Sequence, residues 1–137
     1  MKRVIKNRPE EVVQLALLNH LRARSMPGLF YFHVPNGQNL PVHIKTIRKR
    51  MGVVSGVPDM MFVHRGAIYG LELKANKSRK ASPEQVAAMN ALEVAGARTA
   101  IAHNLQEALT TLEYWGLLRR DQNFGVSEAQ SQESIAS

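Results

Sequence analysis

The chain has 137 residues, room for one domain and little more, and 45% of them are hydrophobic, enough for one core. It contains no cysteine, which excludes disulfides, thiolate zinc sites and cysteine nucleophiles. The N-terminus MKRVIKNRPE is charged but has no apolar run, so it is not a signal peptide. No stretch approaches the roughly 18 consecutive apolar residues of a membrane span, so a soluble intracellular protein with no membrane partner is expected. The formal net charge is +7, and it is uneven. Residues 121–137 hold three acids (Asp121, Glu128, Glu133) and no Lys or Arg, which leaves +10 on the first 120 residues. That balance points to a polyanion partner, nucleic acid above all.

In chain order, Arg8 to Arg24 is expected to be a helix. Pro9 suits its first turn, Glu10 and Glu11 suit the positive end of its dipole, and Val13, Leu17 and Leu21 recur at helical spacing. Leu29 to Val34 (LFYFHV) is aromatic and β-branched and reads as a strand, followed by a turn at Pro35-Asn36-Gly37. Pro41 to Arg50 is a short basic stretch with helical character that carries Lys45, Arg48, Lys49 and Arg50. Gly52 to Pro58, with two glycines and a proline, reads as loop.

Two strands follow, Asp59 to His64 and Ala67 to Lys74, then a polar basic loop from Ala75 to Lys80. Ser82, Pro83 and Gln85 form a capping-box pattern for a helix that runs to about Ala95 and stops at Gly96. Arg98 to His103 is a short apolar strand, and Asn104 caps a last helix to about Trp115. From Asp121 the composition of Ser, Gln and Glu reads as a disordered tail, so the domain is expected over residues 1–120 and the tail over 121–137. The order of elements is that of a mixed α/β sandwich.

The pair of central strands holds the anomaly. With a two-residue turn at Arg65-Gly66, His64 faces Ala67 and, continued outward, Asp59 faces Glu72. Their Cβ atoms would then lie roughly 4.5–5.5 Å apart, with Lys74 on the same face and Leu71 and Leu73 turned to the core. Arg-Gly is not the best pair for a primed turn, and a bulge there would shift the register. Two like charges this close need compensation. A shared proton would supply it, as would an ion pair to Lys74, or a divalent cation such as Mg²⁺ or Mn²⁺ on hard oxygen ligands.

Pro58-Asp59 followed by Glu72-Leu73-Lys74 resembles the PD-(D/E)XK nuclease motif. The wider frame, "GVPDMMFV", then "GLELK", a basic loop and "SPEQVAAMNALEVAGARTAIAHNLQEAL", is similar to the VRR-NUC (virus-type replication-repair nuclease) family, over roughly Pro9 to Leu118. The resemblance implies a restriction-endonuclease-like fold, a central mixed β-sheet flanked by helices. It implies Asp59 and Glu72 as ligands of Mg²⁺ or Mn²⁺, with the Leu73 carbonyl as an additional ligand, Lys74 as the catalytic lysine and Gln85 as the family's helix glutamine near the site. An acidic residue on the first helix is also implied; Glu10 fits best and Glu11 is its competitor. Gln85 has a second reading as a plain capping-box residue.

The chain carries no fused domain, and so resembles the small viral and bacterial forms that act as homodimeric resolvases of four-way DNA junctions. That implies a bacterial or phage-type cytoplasm. Lys45, Arg48 and Lys49, together with Lys77, Arg79 and Lys80, are the candidate DNA contacts. Two alternatives stay open: a nuclease of other specificity (flap, nickase or restriction-like), and a catalytically silent DNA-binding module. His33, Asn36 and His43 suggest part of an HNH nuclease, but Pro35 and Pro41 interrupt its ββα geometry.

Overall fold

The computed structural model describes residues 8–35 and 40–120. Eight elements follow in order: α1 (Pro9–Arg24), β1 (Phe30–His33), α2 (Val42–Arg50), β2 (Met60–His64), β3 (Ala67–Leu73), α3 (Pro83–Val94), β4 (Arg98–Ala102) and α4 (Leu105–Tyr114). The expected elements are all present, with ends displaced by a residue or so. The turn expected at Pro35-Asn36-Gly37 falls largely outside the described residues, and the tail expected over 121–137 falls wholly outside them.

The strands form one sheet in the order β1-β2-β3-β4, antiparallel up to β3 and parallel between β3 and β4. The hairpin register is the one read from the sequence. His64 pairs with Ala67 and Met60 with Leu71, with no bulge between them. Arg65 (φ 49°) and Gly66 (φ 81°) are both left-handed, as a type I′ turn requires. Glycine meets that requirement freely. Arginine does so at a cost, which the flanking ladder offsets.

Strand alternation puts Met60, Phe62, Leu71 and Leu73 on one face, where they pack with Leu17 and Leu21 of α1 and Ala108, Leu109 and Leu112 of α4. Helices α1 and α4 begin with capped ends. Glu11 accepts the Arg8 amide at 3.1 Å, and Asn104 Oδ1 accepts the Glu107 amide at 2.8 Å. At the far end of the core Arg24, buried in α1, donates to Glu113 at 2.8 Å and to the Arg119 carbonyl at 2.9 Å, which ties α1 to the end of α4. The parallel β3–β4 pair needs a crossover, and α3 supplies it. Glu72 points away from Leu71 and Leu73 and reaches Gln85, so α3 lies on the opposite face from α1 and α4. Helix α2 has no buried residue, and Val42 and Met51 at its ends are about four-fifths exposed.

Arg65→Asn should stabilise the protein by about 0.5–1 kcal/mol, because asparagine tolerates the left-handed conformation that arginine resists. The measurement is a urea unfolding midpoint, and a lowered midpoint would show that the turn carries no such strain.

Candidate active site

The backbone ladder between β2 and β3 stops at Met60–Leu71, and side chains take over at the next rung. The Asp59 amide donates to Glu72 Oε1 at 3.2 Å, and the Leu73 amide donates to Asp59 Oδ2 at 2.9 Å. Each acid is thus held by main chain of the opposite strand. The Asp59 carbonyl continues the pairing to β1. It accepts the Val34 amide at 2.8 Å and His33 Nδ1–H at 2.9 Å; a carbonyl only accepts, so the imidazole must donate.

Helix α3 closes the other side. Ser82, its N-cap, accepts the Gln85 amide at 3.2 Å and donates its own amide to Gln85 Oε1 at 2.9 Å. The same oxygen accepts Lys74 Nζ at 2.7 Å, and Gln85 Nε2 donates to Glu72 Oε2 at 2.6 Å. One amide thus closes the capping box and contacts both Lys74 and Glu72. With two donors on Oε1, its nitrogen has to face Glu72. Lys74 Nζ also lies 3.4 Å from Glu72 Oε2. Among the described residues no buried side-chain polar atom lacks a partner.

Glu72 is 4% exposed. Burial, and then the neighbouring Asp59 charge, push its carboxyl up to about 7 against the pull of Lys74. Asp59 is raised as well, first by burial; the Leu73 amide and His33 oppose the rise and Glu10 adds to it. Glu72 is buried and Asp59 partly so, and two backbone amides, Gln85 and one lysine do not fully compensate a charge on both. Such a donor set suits a hard divalent cation, since Mg²⁺ commonly binds one or two carboxylates and keeps several waters. Among the described residues no three His, Asp or Glu side chains draw together into a metal cluster. Glu10 lies within electrostatic reach of Asp59, whereas Glu11 is engaged in capping α1, so Glu10 is the better placed of the two.

The basic residues divide into two groups. Lys77, Arg79 and Lys80 are exposed on the loop whose two anchors, Lys74 and Ser82, are themselves in the site. That loop turns tightly where Asn76 Oδ1 accepts both the Ser78 amide and the Ser78 hydroxyl. Lys77 also acts on Glu107, whose carboxyl is lowered chiefly by its bonds to His103. Lys45, Arg48 and Lys49 are exposed on α2, which contributes nothing to the hydrogen-bonded centre. His33 on β1, which the strand position allowed to approach the site, does so through the Asp59 carbonyl. Sequence reasoning did not single out Ser82 beyond its cap, and the capping box was the available signal.

Because the folded pKa of Glu72 lies above its ordinary value of 4.5, the metal-free folded state holds a proton that the unfolded chain has lost. This contribution to stability is therefore fully present at low pH, declines as pH rises from about 4.5 to about 7, and is constant above that. In chelator, Glu72→Gln should reduce that decline in unfolding free energy; an unchanged pH slope would remove Glu72 as its source.

No family model matches the chain, and no curated protein sequence does. Among solved structures, one described as "VRR_NUC domain protein" superposes with a TM-score of 0.67 at 23% identity, covering 85% of this chain and 96% of its own. A second, described as "VRR_NUC domain", gives a TM-score of 0.56 at 18% identity, covering 80% of this chain and 99% of its own. The mixed four-stranded sheet flanked by helices, with its hairpin of opposed carboxylates, therefore has the fold of the VRR_NUC domain.

Proposed function

We propose that this chain is a divalent-metal-dependent DNA endonuclease of the VRR-NUC type, acting as a homodimeric resolvase of four-way junctions. The observation that carries the reading is the interlock of Asp59, Glu72, Lys74 and Gln85 around one under-compensated pair of carboxylates, buried at Glu72 and partly buried at Asp59. A silent binding module has no use for such a costly arrangement. The fold shared with VRR_NUC structures and the +10 charge on the first 120 residues support DNA as the substrate.

Asp59 and Glu72 would hold Mg²⁺ or Mn²⁺, with Glu10 and the Leu73 carbonyl as further oxygens. When bound, the ion supplies Lewis acidity and lowers the pKa of water at the phosphodiester. The chain's own contribution is placement. The amides of Asp59 and Leu73 aim the two carboxylates. Lys74, steadied by Gln85 Oε1, offers a cation to the charge that grows on the phosphate as it is attacked. The exposed Lys77, Arg79 and Lys80 extend from that point and serve the flanking phosphates, and Lys45, Arg48 and Lys49 serve more distant ones. Cutting both strands of a junction symmetrically needs two such sites related by a two-fold axis, hence the homodimer.

The test is a panel of four-way junction, flap, nicked and linear DNA with Mg²⁺ or Mn²⁺, run beside the mass in solution. The expected outcome is paired incision of the junction by a dimer and none in chelator. Glu72→Ala and Lys74→Ala should each slow cutting by about 10²-fold or more. Activity that survives both substitutions overturns the assignment of the site. A monomer that cuts linear duplex equally well keeps the nuclease and removes the junction. Salt-sensitive binding without cutting under any divalent ion favours the silent module instead.

A further inference from the structure

The segment between the α2 loop and the first carboxylate is pressed against two other parts of the site. A Cβ placed on Gly56 would come within 2.4 Å of the Glu84 carbonyl carbon and oxygen and 2.7 Å of the Gln85 amide nitrogen. These are backbone atoms of the first turn of α3, so no side-chain movement could relieve the overlap. Two residues on, Pro58 is fully buried, and it rests on Gly70 of β3. A Cβ on Gly70 would lie 2.7 Å from Pro58 Cγ and 3.2 Å from both Pro58 Cβ and Met61 Sδ. Gly70 has no left-handed φ, so nothing in its backbone conformation calls for glycine. The contact does. Asp59 follows Pro58 directly, and Glu72 stands two residues beyond Gly70 on the same face.

We infer that Gly56 and Gly70 are positioning residues of the carboxylate site. Residues 56–59 form a strut wedged between α3 and β3, and its two side-chain-free contacts set how far Gln85 stands from Glu72 and Asp59. Hydrogen bonds of 2.6 and 2.7 Å through the Gln85 amide leave no slack for a helix displaced by the width of a methyl group. The strut thus acts on ligand orientation through Gln85, as outer partners of a metal site do. This inference rests on the metal-site reading for its functional consequence, and on steric contact alone for its structural one.

Three single variants separate these effects. Gly56→Ala adds both the overlap and the strain of a left-handed residue (φ 82°). Gly28→Ala adds the same strain (φ 84°) at a place with nothing within 4 Å, so it is the control. Gly70→Ala adds the overlap without the strain, and it decides the matter if Gly56→Ala does not fold. In metal-free protein the side-chain amide resonances of Gln85 should be displaced in Gly56→Ala and Gly70→Ala and unmoved in Gly28→Ala.

The dissociation constant for Mn²⁺ alone, measured by calorimetry, should rise about 10-fold in Gly56→Ala and Gly70→Ala and stay constant in Gly28→Ala. Placing Gly56→Ala on Gln85→Ala should cost nothing further, because the strut acts through that amide. Unmoved Gln85 resonances in a folded Gly56→Ala or Gly70→Ala variant overturn the inference, and so do losses that add in full on Gln85→Ala. Should the unmodified protein bind no Mn²⁺, the metal-site reading falls, and the Gln85 resonances still decide whether the strut exists.

Discussion

The site depends on an exchange of hydrogen-bond partners at one rung of a hairpin. From His64–Ala67 to Met60–Leu71 the two strands pair backbone to backbone; at Asp59–Glu72 each carboxylate accepts an amide of the other strand. An amide left without a partner there would cost about 1–3 kcal/mol, and a bond to a charged acceptor is among the stronger kinds. Neither acid can therefore swing away to relieve its repulsion from the other without giving up such a bond. The repulsion stays in the folded state, and the raised pKa of Glu72 expresses it together with burial.

The rest of the fold keeps that rung in place from two sides. On the core face Leu71 and Leu73 are sealed beneath α1 and α4, which fixes the strand and hence the outward direction of Glu72 and Lys74. On the other face the parallel step from β3 to β4 forces a crossover, and the crossing helix begins ten residues after Leu73 with its first turn against the carboxylates. An interior turn of that helix could not have served as well. The first turn carries a capping residue whose side chain bends back toward the chain end, so the Gln85 amide completes the Ser82 box and also bridges Lys74 to Glu72.

Much of this was legible in the sequence because it follows from local periodicity. Aromatic, β-branched and apolar runs gave the strands, the Ser82-Pro83-Gln85 pattern gave the start of α3, and a two-residue turn gave the register that opposes Asp59 and Glu72. The strand ends were overrun by a residue because the change from backbone to side-chain acceptors has no signature in hydropathy. The simultaneous roles of Gln85 depend on how closely α3 approaches the sheet, a distance fixed by Gly56 and Pro58 rather than by any pattern within the helix. For the same reason the sequence left Glu10 and Glu11 as competitors: both suit a helix dipole, and only the placement of α1 against the sheet brings Glu10 into electrostatic reach of Asp59 while Glu11 caps its own helix. Helix α2 shows the opposite limit. Its basic residues were plain to read, but its detachment from the core was not.

The charge of the chain and the charge of the site have opposite signs, and that contrast is central to the proposed chemistry. An excess of Lys and Arg over the first 120 residues would draw a polyanion from a distance, yet at close range a phosphodiester would meet Asp59, Glu72 and Glu10, with Lys74 and His33 opposing them. On the proposed reading, long-range attraction would deliver the substrate to a place that repels it until the carboxylates are neutralised. A proton on Glu72 does this near neutrality, and a divalent cation does it more completely. Proton and cation would compete for the same oxygens, so the raised pKa of Glu72 would make cation binding weaken as pH falls. Removing Lys74 would deepen the repulsion, and moving Gln85 would release one carboxylate oxygen from a side-chain amide donor. In the proposed chemistry the acids would hold the ion, and the lysine and glutamine would keep the site tolerable to its substrate.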